Sequence, residues 1–206
     1  AAFSAARRAP SWENAQPWHF ILVRDQAVKD LVMQLSGGQR HAAKAPVLVA
    51  CLGNVAAWKR ENMRERLKEL RDAGAMNVSD DIIEKAFLSN PMFSPGLRDS
   101  AVQIARTVEA VATAMSFFLI EATNQGLGAC IIGAFGNELT GALPETYAKL
   151  RTALQVPDDH MVVAFLTVGI PAETPPARPR RSLGSLVSTE KFGVSAFQAA
   201  PGQSAC

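Results

Sequence analysis

The chain has 206 residues, of which 48% are hydrophobic and 19% charged, and its formal charge is +2. That length suits one domain of about 100–200 residues with a real core, and the near-balance of charge excludes the basic face of a dedicated nucleic-acid binder. No apolar run approaches the ~20 residues of a membrane span, no signal-peptide hydrophobic region opens the chain, and Cys51, Cys130 and Cys206 match neither a metal centre nor a redox pair; the expected setting is a reducing cytoplasm, away from membranes.

The first distinctive stretch is PSWENAQPW, residues 10–18. Pro10 and Pro17 each fix a backbone φ. The stretch reads either as a helix exit plugged by aromatic side chains or as a rigid loop offering Ser11, Asn14 and Gln16 to a ligand rich in donors and acceptors, since pre-set side chains lose less entropy on binding. HFILV (19–23) and PVLVACL (46–52) are short, apolar and partly β-branched, the pattern of buried strands. Between them, apolar residues recur at helical spacing over 27–45 and break at Gly37-Gly38, which predicts helix, turn and short helix. Residues 58–71 hold 9 charged residues in 14, with Trp58, Met63, Leu67 and Leu70 at roughly helical intervals, as on an exposed amphipathic helix.

A second helix is predicted over 79–90 with Ser79 as its cap, before the turn NPMFSPG at 90–96. Residues 99–125 form one long, nearly uncharged helix stopped at Gly126. A helix apolar around most of its circumference must be covered there, so this one is a central core helix or a subunit interface. GACIIGAF (128–135) is a tight apolar piece, 143–157 a short helix closed by Pro157, and HMVVAFLTVGIP (160–171) the clearest strand. AETPPARPRRSLGSLV (172–187) is extended and proline-rich. About four strands among about six helices make an α/β or α+β domain, one unit over 1–206.

His19, His41 and His160 share no metal-ligand spacing, and no nucleophile elbow, P-loop or dinucleotide fingerprint is present. Cys130, among apolar neighbours, reads as a buried structural thiol. The run RPRR at 178–181 is either a solvated basic loop or a clamp for a phosphate dianion, whose oxygens pair bidentately with guanidinium groups.

APSWENAQPWHF matches the form A-P-S-x-x-N-x-Q-P-W-x-F, and APVLVACL, EATNQGLGACIIGAF, VPDDHMVVAFLTVGIP and the arginines before SL follow it in order. In this series the chain resembles the FMN-dependent nitroreductases over nearly its whole length. The resemblance implies an α+β nitroreductase-like fold, a central, mostly antiparallel sheet surrounded by helices, in an interlocked homodimer with FMN at the interface. It implies that Pro10, Ser11, Trp12 and Asn14, with Gln16 nearby, reach the flavin from the partner subunit. Ile132 and Gly133 would lie with their backbone against the ring, where a small residue permits close approach. Arg178, Arg180 and Arg181 together cover the family's basic pair for the FMN phosphate, and Arg40 or His41 is the nearest candidate for the flavin O2 edge. The family's arginine-rich segment a few helical turns upstream of A-P-S has no counterpart, so a longer parent chain is expected.

The activity implied is reduction of nitroaromatic compounds by NADH or NADPH through the flavin, nitro to nitroso to hydroxylamine. Other flavin chemistry on the same fold, namely dehalogenation, flavin fragmentation or quinone reduction, and non-catalytic flavin binding, are the alternatives. The protein would supply no nucleophile and no metal, only orientation, charge stabilisation and exclusion of water. Residues 54–98 are expected to form a helical lid in which Met92 and Phe93 meet the acceptor, and 172–206 an extended C-terminal arm.

Overall fold

The structure, a computed structural model, describes residues 1–133 and 141–197. Ala134 and Phe135 of the GACIIGAF segment and Cys206 lie outside the described residues. The chain divides into two compact units, Ala1–Pro171 and Ala172–Cys206.

In the first unit four strands make one sheet: β1 (Trp18–Val23), β2 (Val47–Asn54), β3 (Gly128–Ile132) and β4 (His160–Gly169), in the order β1-β2-β4-β3. Every pairing is antiparallel. The architecture is therefore α+β, with β2 and β4 central, as their continuous apolar sequences require. Side chains alternate between two faces along β2. Leu48, Ala50 and Leu52 join one apolar cluster, Val49 and Cys51 the other.

Helices cover both faces. The first is covered by α2 (Gln26–Leu35), α3 (Arg40–Lys44) and α7 (Pro144–Ala153), through Val28, Val32, Leu35, Ala42 and Leu150. The second is covered by α1 (Ala2–Ala6) and α6 (Ser100–Asn124), through Ala6, Val111, Met115, Phe118 and Ala122. Caps fix two helix starts: Asp25 accepts from the Val28 amide at 3.2 Å, and Asp99 from the Val102 amide at 3.0 Å. In β4 the register slips opposite Cys51 and Leu52, so that Val162 and Phe165 face one cluster while Val163 and Ala164 both face the other. A β-bulge of this kind bends the strand and increases its local twist.

The long helix buries one stripe, and Ile104, Phe117 and Ile120 on the remainder are exposed, Ile120 by 64%. It is thus not a fully enclosed core helix. By length and composition it is also apolar enough to cross a membrane, though Arg106, Glu109 and Glu121 interrupt it, and its buried stripe packs on the sheet. Cys130 corrects a second expectation. It lies on edge strand β3, exposed with its neighbour Ile131.

Residues 55–97 build a third cluster. Trp58 leaves β2 in a 3-10 turn (Val55–Trp58) rather than opening the charged helix, and is 1% exposed. It packs with Met63 and Leu67 of α4 (Arg60–Asp72), with Ile83 and Leu88, and with Ala15 and Trp12 of the N-terminal loop. The helix predicted over 79–90 is a single turn, α5 (Asp80–Ile82), capped by Ser79 at 3.3 Å and continued by a wide turn, Ile83–Phe87. Its acidic side is clamped to α4. Glu84 takes Arg60 at 2.7 Å and also Arg64, and Asp80 takes Arg71 and, at 3.5 Å, Lys68.

The second unit holds one turn of helix, α8 (Leu183–Leu186), and a bridge between Ser188 and Ser195.

Candidate functional site

The loop between α1 and β1 is held by its own side chains. Pro17 at its end is buried and its carbonyl accepts from the Asn54 amide at 2.7 Å, which fixes the entry into the sheet. Ser11 stands extended before a short 3-10 turn (Trp12–Asn14), and its Oγ accepts from the Gln16 amide at 3.0 Å. Between these ends Glu13 (φ 46), Asn14 (φ 56) and Gln16 (φ 46) all take the left-handed conformation. Each such residue costs about 1 kcal/mol or more. Three in four positions is strain that a plain connection to a strand does not need, and it presents the side chains of Ser11 and Asn14 on a fixed backbone. The Asn14 carboxamide makes no hydrogen bond to the described residues and is free for a ligand, whereas Ser11 keeps its O–H to donate.

Trp12 is committed within the chain: its indole N–H donates to the Phe93 carbonyl at 2.8 Å, and the Arg106 guanidinium of α6 lies 4.8 Å from the ring centroid. Glu13 stands apart electrostatically. Both carboxylate oxygens are out of water with no hydrogen-bond partner, and burial pushes its pKa up to about 7. The sequence carries no signal for it, because a carboxylate in a loop is ordinarily solvated.

Two clefts border this loop. One of about 170 Å³ runs between Pro10, Ser11 and Trp12 and the α6 residues Arg106, Glu109, Ala110 and Thr113. The other, about 410 Å³, is rich in amides, with Gln16, Asn54 and Asn62 around Pro17 and Trp18 and with Glu65 and Arg66 at hand.

The remaining expected positions fall as follows. Ile132 ends β3 with its side chain in the core, and Gly133 follows with nothing among the described residues within 4 Å of where a Cβ would stand. Arg40 and His41 are exposed at the start of α3. Met92 is 70% exposed, while Phe93 packs its ring against Phe87 with centroids 5.6 Å apart. Arg178, Arg180 and Arg181 belong to the second unit and are exposed. Arg180 donates to the Pro179 carbonyl at 3.1 Å, Arg181 to the Ser185 carbonyl at 2.8 Å, and Arg178 to nothing among the described residues.

Sequence distance misled about two histidines. His19 and His160 meet edge to face with ring centroids 6.3 Å apart, and His160 Nδ1 lies 2.7 Å from Asp159. Among the described residues no group of three His, Cys, Asp or Glu side chains could hold a metal ion. Cys51 is a buried thiol whose pKa burial pushes up to about 12, which leaves it inert as a nucleophile.

Comparison with known proteins places this geometry. A 169-residue match at 26% identity relates the chain to a NADH dehydrogenase of Thermus thermophilus, over 82% of this chain and 73% of that protein. A match at 24% identity relates it to an iodotyrosine deiodinase of Thermotoga neapolitana, over 86% and 78%. Among solved structures, a nitroreductase-like protein of Streptococcus mutans superposes with a TM-score of 0.72 at 15% identity, covering 92% of this chain and 85% of that one; at that identity the likeness shows the fold. The model of the nitroreductase family matches residues 1–170, the span of both clefts and of the whole sheet. The chain belongs to the nitroreductase family and is an oxidoreductase of the kind that works through a flavin.

Proposed function

We propose that the chain is an FMN-dependent oxidoreductase that uses NADH or NADPH to reduce nitroaromatic compounds, with each flavin held between two copies of the chain. The observation that carries this reading is the strained loop with the free Asn14 carboxamide beside an α6 face that leaves Phe117 and Ile120 uncovered. The 170 Å³ cleft at the loop is smaller than the about 300–1,000 Å³ of a usual ligand pocket. The 410 Å³ cleft on the other side of the loop lies within that range, so it is the cleft at Pro10, Ser11 and Trp12 that, in this reading, needs a second copy to close it.

The residues present fit the group. Pro10, Ser11 and Asn14 would meet its ring and side chain from one copy, with Gln16 bracing the loop through the hydrogen bond its backbone N–H donates to Ser11 Oγ. Ile132 and Gly133 would lie against the ring through backbone, where Gly133 leaves space. Arg178, with Arg180 or Arg181, would take the phosphate through charge-assisted hydrogen bonds. When bound, the flavin supplies the two-electron chemistry between nicotinamide and acceptor. The chain's own work is to orient one face of the ring, keep water from it, and hold donors and positive charge where negative charge builds.

The similarity to an iodotyrosine deiodinase favours a second reading, reductive removal of a halide by the same site. An anaerobic titration separates the two. FMN-loaded protein bleaches with NADH or NADPH, and a nitroaromatic restores the colour under the first reading, a halogenated phenol under the second. Bound flavin that neither nicotinamide reduces overturns both.

A further inference from the structure

Trp12 joins three elements of the first unit. Its indole N–H reaches the Phe93 carbonyl at 2.8 Å across 81 positions of sequence, and that carbonyl accepts from no other group among the described residues. Over its ring lies Arg106 of α6, itself paired with Glu109 at 2.6 Å. Its flank packs in the cluster of Trp58, Met63 and Leu67, to which Phe87 also belongs.

At the far end of that hydrogen bond, the turn is rigid in itself. The Asn90 carbonyl accepts from the amides of Phe93 at 3.0 Å and Ser94 at 2.9 Å, and the Asn90 side chain accepts from the Met92 amide at 2.9 Å. Gly96 sits so near the Trp58 carbonyl that a Cβ there would overlap it. A rigid turn bonded to a strained loop moves with that loop. The bond needs an indole, because it combines a broad apolar face for the cluster and for Arg106 with a single directed N–H for the carbonyl.

We propose that Trp12 is a positioning residue that sets which acceptors the site takes, by fastening the Met92–Phe93 turn to the flavin loop so that this turn stands as an apolar wall for flat aromatic acceptors. This rests on the reading of residues 10–16 as the flavin loop. Trp12 borders the cleft beside Pro10 and Ser11, but its effect on the choice of acceptor is exerted through the turn.

The test is Trp12→Phe, which keeps an aromatic ring in the cluster and deletes the N–H. Hydrogen exchange on the flavin-free protein reads the fastening directly. The amides of Met92, Phe93 and Ser94 should exchange about 3–10-fold faster than in wild type, the factor of one lost hydrogen bond, while the amides of β2 stay as they were and so report an intact fold. On the flavin-loaded protein, KM for a bulky nitroaromatic should rise about 3–10-fold relative to KM for a small quinone, with kcat for the bulky acceptor held. Unchanged exchange at 92–94, or a bulky-to-small KM ratio that stays level or falls, overturns the proposal. Wild-type protein that binds no FMN overturns the flavin reading instead, and the exchange measurement then still decides whether Trp12 holds the turn.

Discussion

The Trp58 indole donates to Thr107 Oγ1 at 2.8 Å, with both side chains out of water, and the Thr107 hydroxyl in turn donates to the Gln103 carbonyl at 2.8 Å. This pair ties the long helix α6 to the point where the chain leaves β2, and Gly53 permits it, since a Cβ at Gly53 would overlap the Thr107 methyl. Thr107→Val keeps the shape and removes the acceptor, which leaves a buried N–H unpaired. Stability should fall by about 1–3 kcal/mol, read as the midpoint of urea unfolding. Adding Trp58→Phe should cost less in that background than in wild type, because the orphaned donor goes with it.

The strands and the long helix were legible because their signals are local. HFILV, PVLVACL and HMVVAFLTVGIP are runs of β-branched and apolar residues, and the structure extends or trims each by at most a few positions. What escaped were properties set by neighbours distant in sequence. Cys130 looks buried from its apolar neighbours, yet it stands exposed on an edge strand, a place set by the strand order rather than by adjacent sequence. Trp58 fitted a helical spacing, but its indole is claimed by Thr107, 49 residues on. In the loop, the residue types at 10–18 pointed to a ligand, whereas the left-handed backbone, the Trp12–Phe93 bond and the stranded Glu13 carboxylate could be seen only once the 55–97 segment was folded against it.

Glu13 gives stability a pH dependence whose sign follows from its burial. Its folded pKa, about 7, lies above the ordinary 4.5, so the folded state holds the proton more tightly and is favoured below pH 4.5. That advantage is lost as pH rises through 7, when an unpaired charge must form out of water. Glu13→Gln should leave stability near wild type at pH 5 and raise it at pH 8 by about 1–2 kcal/mol, after allowing for the half-exposed setting of the residue. For a chain of this length that is about 3–6 °C in Tm by calorimetry. Equal Tm values for the two proteins at pH 8 would show that the carboxylate finds a partner on ionising.

Replacing Arg178, Arg180 and Arg181 together with alanine should weaken FMN binding far more than riboflavin binding. Each charge-assisted contact to a phosphate is worth about 1.5–3 kcal/mol and exists only for the phosphorylated ligand. Arg178, which makes no bond within the described residues, should carry more of the loss than Arg181, which already donates to the Ser185 carbonyl. Quenching of flavin fluorescence gives both dissociation constants. Parallel losses for the two ligands would return the cluster to the role of a solvated loop.

The exposed face of α6 makes the last prediction. Phe117 and Ile120 lie three residues apart, hence on one side of the helix, and are 38% and 64% exposed while the opposite stripe is packed on the sheet. In the proposed homodimer, covering this face with a second copy would bring one protomer's loop at residues 10–16 to a flavin on the other protomer's Ile132 and Gly133. A stable homodimer of this kind buries more than about 2,000 Å². Ile120→Glu places a charge in the middle of that surface, where it has no partner and loses its water. Dimer association should weaken into the micromolar range or beyond, a rise in Kd of about 100-fold or more, equivalent to about 3 kcal/mol. Sedimentation measured at several protein concentrations, with flavin absorbance followed along the same boundary, reads assembly and cofactor together. Flavin should leave with the dimer, because each copy alone offers only one wall. A wild-type protein that sediments as a monomer and still carries its flavin would mean that a single chain encloses the cofactor, and the loop at residues 10–16 would then have to meet a flavin held by its own subunit.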